Sequence, residues 1–330
     1  MSFIWSLVIF AGLVAVALLG VEGAGLESLF GIWLPYAAVG IFFGGLIARV
    51  VGWAKSPVPF RIPTTCGQQK SLPFIRHARL DNPSSALGAT ARMALEVLTF
   101  RSLFRNTKAH LTTDKRFVYG SEKYLWAGAM AFHWAFFVIL VRHYRFFIEP
   151  VPQVIGWLGG LDGFFEVGLP AVYATDVVIL AALAYLLSRR LLDARLRYFS
   201  LAADYFPLLL LLGVAGSGVL LRYVWKTDIT RVKELAVGLA SFSPVLPDGL
   251  GAMFYVHLFL VCSLLAYLPF SKLTHMAGVF LSPTRNLANS NRAKRHINPW
   301  NPAIVGHTYA EWEEEFRDKI KAAGIPLDRE

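Results

Sequence analysis

The sequence predicts an all-α integral membrane protein with six transmembrane helices and both termini in the cytoplasm. Of its 330 residues, 55% are hydrophobic and only 16% are charged, whereas charged residues make up about a quarter of a soluble domain. Six apolar runs are long enough to cross a bilayer, which takes about 20 residues. Basic residues concentrate in alternate connections between these runs, a distribution that sets the orientation of membrane proteins.

The composition also excludes several classes of protein and of site. An aromatic content of 14% excludes a disordered chain. The net charge of +10 is explained by membrane topology rather than by nucleic-acid binding. Two cysteines exclude a disulfide framework and any four-cysteine zinc or iron–sulfur site within this chain.

The predicted spans follow one another along the chain from near its first residue. They are 3–20, 31–53, 124–147, 168–188, 204–222 and 250–270. The first run has no Lys or Arg before its apolar core, unlike a signal peptide. Residues 1–30 are therefore expected to form a retained, additional N-terminal transmembrane helix. The last span is expected to continue as helix towards residue 281.

The charges of the connections give the orientation. The connection 54–123 holds twelve Lys and Arg residues against four acids, 189–203 holds four arginines, and the tail from 271 holds nine basic residues. By contrast, 21–30 and 149–167 carry acidic residues and no basic ones. Six alternating helices place all three basic segments on one side, which is then the cytoplasmic side of the inner membrane.

Two segments outside the spans have the pattern of contact surfaces. Residues 86–105 alternate apolar and basic side chains as an amphipathic helix does on the inner membrane face or against a partner. The tail 283–330 is polar, with a charged helix expected at about 309–323. It has too little apolar surface to fold alone, which favours docking on a partner subunit.

Histidine provides the most specific functional signal. His133 and His143 lie in the third span, ten residues or about 15 Å apart, and His257 and His275 in the last helix, eighteen residues or about 27 Å apart. The two spans run antiparallel, so His133 is level with His275, and His143 with His257. Two histidines on facing helices provide the axial nitrogens of a haem. The sequence thus predicts an inner haem iron between His133 and His275 and an outer one between His143 and His257.

Other interpretations of these histidines remain open. A single histidine in a span usually forms a hydrogen bond to a neighbouring helix, and a passive membrane anchor or a transporter would use it so. Zinc is disfavoured, because each level offers two ligands and no nearby cysteine or carboxylate pair.

The chain resembles the gamma subunits of respiratory nitrate reductases, which are quinol-oxidising membrane cytochromes b. The resemblance covers about 31–282 and depends on the spacing of the two histidine pairs, the motif Pro-Phe-Ser-Lys-Leu-Thr-His at 269–275, and the basic turn at 189–205. It implies a five-helix di-haem domain over 31–282 that includes the loop 54–123. It also implies two haem b groups and a quinone substrate, menaquinone among them.

The first helix, the long basic loop and the extended tail depart from that family. They are similar to the DsrM family, the membrane haem subunits of DsrMKJOP complexes of dissimilatory sulfur metabolism. This second resemblance implies a cytoplasmic iron–sulfur subunit like DsrK, further membrane and periplasmic subunits, and electron exchange with the carrier protein DsrC. A gamma subunit of a nitrate reductase-type complex is the alternative.

Five further residues are candidates near the outer haem. Asp176 lies inside the fourth span with Tyr173 close by, and an intramembrane carboxylate is a candidate proton acceptor for quinol. A salt bridge that serves packing is the competing role of Asp176. Arg142, Arg145 and Arg222 are expected at the outer interface, where guanidinium groups pair with haem propionates or extend towards lipid headgroups.

Overall fold

The computed structural model describes a mostly helical chain over residues 1–56, 67–111, 113–114, 116–165, 171–282, 285–290, 292 and 306–328. Its α-helices are α1 (Ser2–Leu18), α2 (Leu34–Ala54), α3 (Ala86–Thr99), α4 (Arg101–Phe104), α5 (Lys123–His143), α6 (Gln153–Asp162), α7 (Ala174–Leu192), α8 (Ala194–Phe199), α9 (Ala202–Tyr223), α10 (Ile229–Ala240), α11 (Ala252–Tyr267), α12 (His275–Gly278) and α13 (Tyr309–Ala322). Short π-helical turns extend α1 at Leu19–Gly23 and precede α2 at Leu29–Trp33.

Within these residues, five helical segments are long and apolar enough to cross a membrane. They are Ser2–Gly23, Leu29–Ala54, Lys123–Phe146, Ala202–Tyr223 and Ala252–Phe270. The remaining predicted span, 168–188, corresponds to the 19-residue helix α7, which starts at Ala174. Asp176 in its first turn and Arg189 and Arg190 in its last turn make α7 more polar than the others. Its crossing of the membrane stays a prediction, as does the side on which the termini lie.

The helices pack in an order that places α5 and α11 on either side of the bundle interior. Helix α5 packs on α7, α7 on α9, and α9 on α11, while α2 packs on α11. The additional helix α1 packs on both α9 and α11. Gly213 permits this approach, since a Cβ atom there would lie 2.3 Å from Cε2 of Phe10. Leu183, Leu210 and Leu260 are fully buried where the helices meet.

Polar contacts identify two ends of the bundle. The basic end of the bundle is formed by the ends of α2, α7 and α11 and the starts of α5 and α9. Here Lys272 pairs with Asp204 at 2.6 Å, and Arg189 pairs with Glu122 at 3.4 Å. At the opposite end, the hydroxyl of Tyr223 donates to Asp176 at 2.8 Å. Both ion pairs join a connection or helix end to a neighbouring helix, so the basic end is held together across the bundle.

The loop after α2 folds at the basic end, and its amphipathic helix is present as α3. Ser85 caps α3 by accepting a hydrogen bond from the backbone N–H of Gly88 at 3.2 Å. An antiparallel hairpin of β1 (Thr107–Leu111) and β2 (Phe117–Ser121) follows α4. The sequence patterns did not predict this hairpin, nor the short pair of β3 (Gly163–Phe165) and β4 (Val172–Tyr173). Part of the basic loop, 57–66, lies outside the described residues.

The expected continuous helix from 250 to 281 is wrong. Helix α11 ends at Tyr267, and 3₁₀ turns follow at Leu268–Phe270 and Lys272–Thr274. Between them Ser271 is extended, with φ −116° and ψ 177°, and its hydroxyl accepts from the backbone N–H of Leu273. Pro269 has no N–H for an α-helical bond, and Ser271 acts as the cap of a new turn. His275 therefore begins α12, and the expectation that it lies on one continuous helix with His257 is wrong.

In the C-terminal tail, the charged helix expected at about 309–323 is present as α13. Thr308 and Glu311 form a capping box at its start. The segment Asn-Pro-Trp-Asn-Pro at 298–302, whose sequence is typical of turns, lies outside the described residues.

Candidate functional site

The four histidines predicted as haem ligands lie on α5, α11 and α12. The imidazole rings of His133 on α5 and His275 on α12 have centroids 6.0 Å apart, with an angle of 76° between their planes. His257 lies on α11, and His143 lies at the end of α5. The proximity of His133 and His275 is consistent with the predicted inner pair, although His275 is carried on a separate short helix. The pairing of His143 with His257 stays a prediction.

Each of the four rings is oriented through its Nδ1 atom. Nδ1 of His133 lies 2.8 Å from the carbonyl oxygen of Ala129, that of His143 lies 2.7 Å from Ile139, and that of His275 lies 2.8 Å from Lys272. Nδ1 of His257 lies 2.8 Å from the hydroxyl of Ser217, which itself donates to the carbonyl of Val214 at 3.1 Å. A carbonyl accepts only from an Nδ1–H tautomer, in which Nε2 keeps the lone pair that binds a metal.

This donor set fits a haem better than a metal held by protein ligands alone. Two imidazoles that bind one metal from opposite sides through nitrogens about 2 Å away have centroids about 6 Å apart, as His133 and His275 have. Among the described residues, no three His, Cys, Asp or Glu side chains cluster as a metal site. A site with two imidazoles per level suits a metal whose other ligands belong to a bound cofactor, as in haem.

Aromatic rings surround the histidines at both levels. Phe100 and Phe132 each contact the ring of His133 with centroids 4.9 Å apart, and Phe146 contacts His143 at 5.7 Å. Gly218 lies against His257, where a Cβ atom would approach Cε1 to 3.2 Å. The Gly-rich stretch 213–218 thus provides close packing on α1 and on a histidine.

The predicted arginine and carboxylate residues meet at the opposite end of the bundle. Arg142 is 6% exposed and pairs with two carboxylates, Asp162 at 3.1 Å and Asp176 at 3.3 Å. The hydroxyl of Thr175 donates to Asp162 at 2.6 Å. Asp176 therefore forms a salt bridge, as its alternative role in packing requires. It also accepts a hydrogen bond from the hydroxyl of Tyr223.

Tyr173 lies at the centre of the predicted arginines. The guanidinium carbon of Arg142 is 3.7 Å from the centroid of the Tyr173 ring, and that of Arg222 is 3.9 Å from it. Arg222 also donates to the carbonyl of Ala171 at 2.9 Å. The buried Nε atoms of Arg142, Arg145 and Arg222 have no hydrogen-bond acceptor among the described residues. All three arginines thus retain a donor for an anionic group, and Arg142 also pairs with two carboxylates.

Three residues of the site were not predicted as such. Asp162 stood out only as an acid in a connection without basic residues, and Ser217 only as part of a small-residue stretch. Phe100 has no signal in the sequence beyond its place in an amphipathic segment, because its contact with His133 depends on how α3 and α4 meet.

The chain is similar to a known protein family and to two known proteins. Residues 91–292, which include all four histidines, match the family described as nitrate reductase gamma subunit. The chain is 45% identical over 284 residues to the "Hdr-like menaquinol oxidoreductase cytochrome b-like subunit" of Archaeoglobus fulgidus, covering 84% of this chain and 85% of the relative. A subunit of the same name from Archaeoglobus profundus is 43% identical over 313 residues, covering 87% of this chain and 93% of the relative.

Proposed function

Since the chain belongs to the nitrate reductase gamma subunit family, we propose that it is a membrane di-haem cytochrome b exchanging electrons between the menaquinone pool and an iron–sulfur partner subunit. The observation that carries the proposal is that the rings of His133 and His275 lie 6.0 Å apart and that all four predicted ligands have Nδ1 engaged, which leaves Nε2 for a metal. The names of the two relatives support haem b and menaquinol as the electron carriers.

The orientation follows from the charges of the connections. The basic end of the bundle is cytoplasmic by the positive-inside rule. The pair His133 and His275 then forms the inner level, and His143 and His257 form the outer level. Each bound haem would supply a one-electron redox centre. One such centre towards each end of the bundle would give an electron path across the membrane.

The chain's own residues hold the haem ligands and provide polar groups for quinol. The Nδ1 bonds fix the tautomer of each histidine and raise its basicity as a ligand. Asp176 would accept a proton from quinol, and its contacts with Tyr223 and Arg142 hold its carboxylate in place. Tyr173, held between Arg142 and Arg222, would contact the quinol head group. Arg145 and Arg222 would donate from their unsatisfied Nε atoms to haem propionates.

The electron partner is expected at the cytoplasmic face. Two cysteines cannot hold an iron–sulfur cluster in this chain, and the one described, Cys262, is buried in α11. The tail 283–330, with α13, would dock such a subunit. Its finer identity as a DsrK-like subunit in a complex of dissimilatory sulfur metabolism is part of the proposal, and so are further membrane and periplasmic subunits.

The proposal is tested by haem content per polypeptide, measured as pyridine haemochrome. The variants are His143→Ala and His275→Ala, with His307→Ala in the tail as the matched control. We expect two b haems in the wild type and in the control, and about one in each of the other variants. Well-folded wild-type protein without haem would overturn the proposal in favour of a haem-free anchor or transporter.

A second measurement separates the electron partners. Purification of the complex under mild conditions and identification of its subunits is expected to yield an iron–sulfur protein together with this chain. A molybdenum-containing nitrate reductase in its place would overturn the assignment to sulfur metabolism and leave the di-haem cytochrome b intact.

A further inference from the structure

The junction between α3 and α4 has an unusual backbone. Phe100 joins the two helices in the left-handed conformation, with φ 49° and ψ 46°. Bulky residues rarely adopt this conformation, which is favoured by glycine and tolerated by asparagine. A strained residue persists only where its surroundings determine its conformation. The segment 98–104, here called the elbow, is therefore held in place by its contacts.

Two tryptophans of α5 clamp the elbow from one side. The indole N–H of Trp126 donates to the carbonyl of Thr99 at 2.7 Å, and that of Trp134 donates to the carbonyl of Leu98 at 3.2 Å. These are among the last carbonyls of α3, to which no N–H of the helix itself donates. The ring of Phe104 also lies on Trp126, with centroids 4.9 Å apart. The end of α3 is thus fixed to the face of α5 that bears His133.

A polar network holds the elbow from the other side. The buried carboxylate of Glu96 accepts from the hydroxyl of Ser102 at 2.6 Å and from its backbone N–H at 3.0 Å. Arg101 pairs with Asp81 at 3.0 Å. Since Glu96 lies in α3 and Ser102 in α4, their hydrogen bonds lock the angle between the two helices.

These contacts place the ring of Phe100 against the ring of His133. The rings of Phe100 and His133 form an edge contact with an interplanar angle of 88°. The ring of Phe132 also forms an edge contact with His133, with an interplanar angle of 76°. The Nδ1 bond to Ala129 fixes one edge of the imidazole, and the two phenyl rings restrict its rotation about that bond. The elbow also covers His133 with apolar surface at the end of the bundle that is rich in charge.

We infer that Phe100 is a positioning residue for His133, and that the elbow sets the reduction potential of the inner haem. The inference rests on the proposed function, because it requires a haem at this level. Phe100 would act by fixing the plane of the axial imidazole and by excluding water, both of which tune a haem. A substitution of Phe100 that opens the site to water would stabilise the more positively charged ferric state and lower the potential.

The test is a redox titration of the purified, haem-loaded full chain, followed optically and by electron paramagnetic resonance. The variants are Phe100→Leu, which removes the ring, and Phe100→Tyr, which keeps it. Phe43→Leu is the matched control, since Phe43 lies on α2, is 56% exposed and contacts Phe42. His133→Ala identifies which signal belongs to the inner haem.

We expect Phe100→Leu to lower the midpoint potential of the inner haem and to alter its ferric low-spin signal, with the outer haem unchanged. Phe100→Tyr and Phe43→Leu are expected to behave as wild type. An unchanged inner haem in Phe100→Leu, or equal shifts of both haems, would overturn the inference while leaving the di-haem assignment intact. Absence of haem from the wild type would instead overturn the proposed function.

If Phe100→Leu loses the inner haem, Trp134→Phe provides the test. It keeps the phenyl contact with His133 and removes only the hydrogen bond to Leu98. We expect a shift of the inner haem in the same direction and of smaller size. No shift in Trp134→Phe would contradict the role of the elbow.

Discussion

The hydrogen bond between Ser217 and His257 allows a quantitative test of the outer ligand pair. Ser217→Ala removes the hydroxyl that lies 2.8 Å from Nδ1 of His257. Ser217 is 6% exposed, so water does not readily replace the lost group. An unsatisfied buried donor costs about 1–3 kcal/mol. Since the lost bond is a single one between neutral groups, we expect the cost near the lower limit of this range.

A cost of about 1–1.4 kcal/mol corresponds to a five- to tenfold weaker haem affinity. The assay is the rate of haem transfer to excess apomyoglobin, in which the two haems appear as separate phases. We expect the phase of the outer haem to accelerate about five- to tenfold in Ser217→Ala, with the other phase unchanged. Ser188→Ala is the matched control, because the hydroxyl of Ser188 bonds only to carbonyls of its own helix.

Ser217→Thr, which keeps a hydroxyl, is expected to restore the wild-type rate. Identical transfer rates in Ser217→Ala and in the wild type would refute the reasoning that Ser217 supports His257 as a ligand. Acceleration of both phases would show a general loosening of the bundle instead.

Two further predictions concern carboxylates. Asp176→Asn is expected to slow haem reduction by menaquinol about a hundredfold, since it removes a proton acceptor, with haem content unchanged; a rate within twofold of wild type in stopped-flow absorbance would contradict this role. Burial raises the pKa of Asp81, but Arg101 and Arg105 outweigh burial and hold it below its ordinary value of 3.8. The stabilisation by these pairs is then complete above pH 3.8 and is lost as the pH falls through the lowered pKa. Limited acid proteolysis should therefore cleave near the elbow more rapidly at lower pH in the wild type, and at a pH-independent rate in Asp81→Asn.

The sequence predicted most of the helices because their signal is local. Apolar runs mark the five membrane-spanning candidates, and antiparallel alternation brought His133 level with His275, whose rings lie 6.0 Å apart. The break after α11 was missed, since one proline in an apolar run only weakly predicts that Ser271 will be extended. The ion pair of Arg142 with Asp162 joins residues on separate elements, and no local pattern specifies such a contact.

The left-handed conformation of Phe100 could not be predicted for a related reason. A phenylalanine gives no local signal for positive φ, and the conformation is imposed by tertiary contacts from α5 and from Ser102. Similarly, the interpretation of Asp176 remained open because its neighbours Arg142 and Tyr223 come from different helices.

The break at Pro269 to Ser271 has a consequence for how the protein adapts to its bilayer. Helices that are longer or shorter than the local hydrocarbon thickness adjust by tilting. A change in the tilt of α11 displaces His257, which it carries, whereas His275 lies beyond the break and is held at the basic end, where Lys272 pairs with Asp204. The break thus separates His275 from movements of α11, so a change in bilayer thickness is expected to move His257 more than His275.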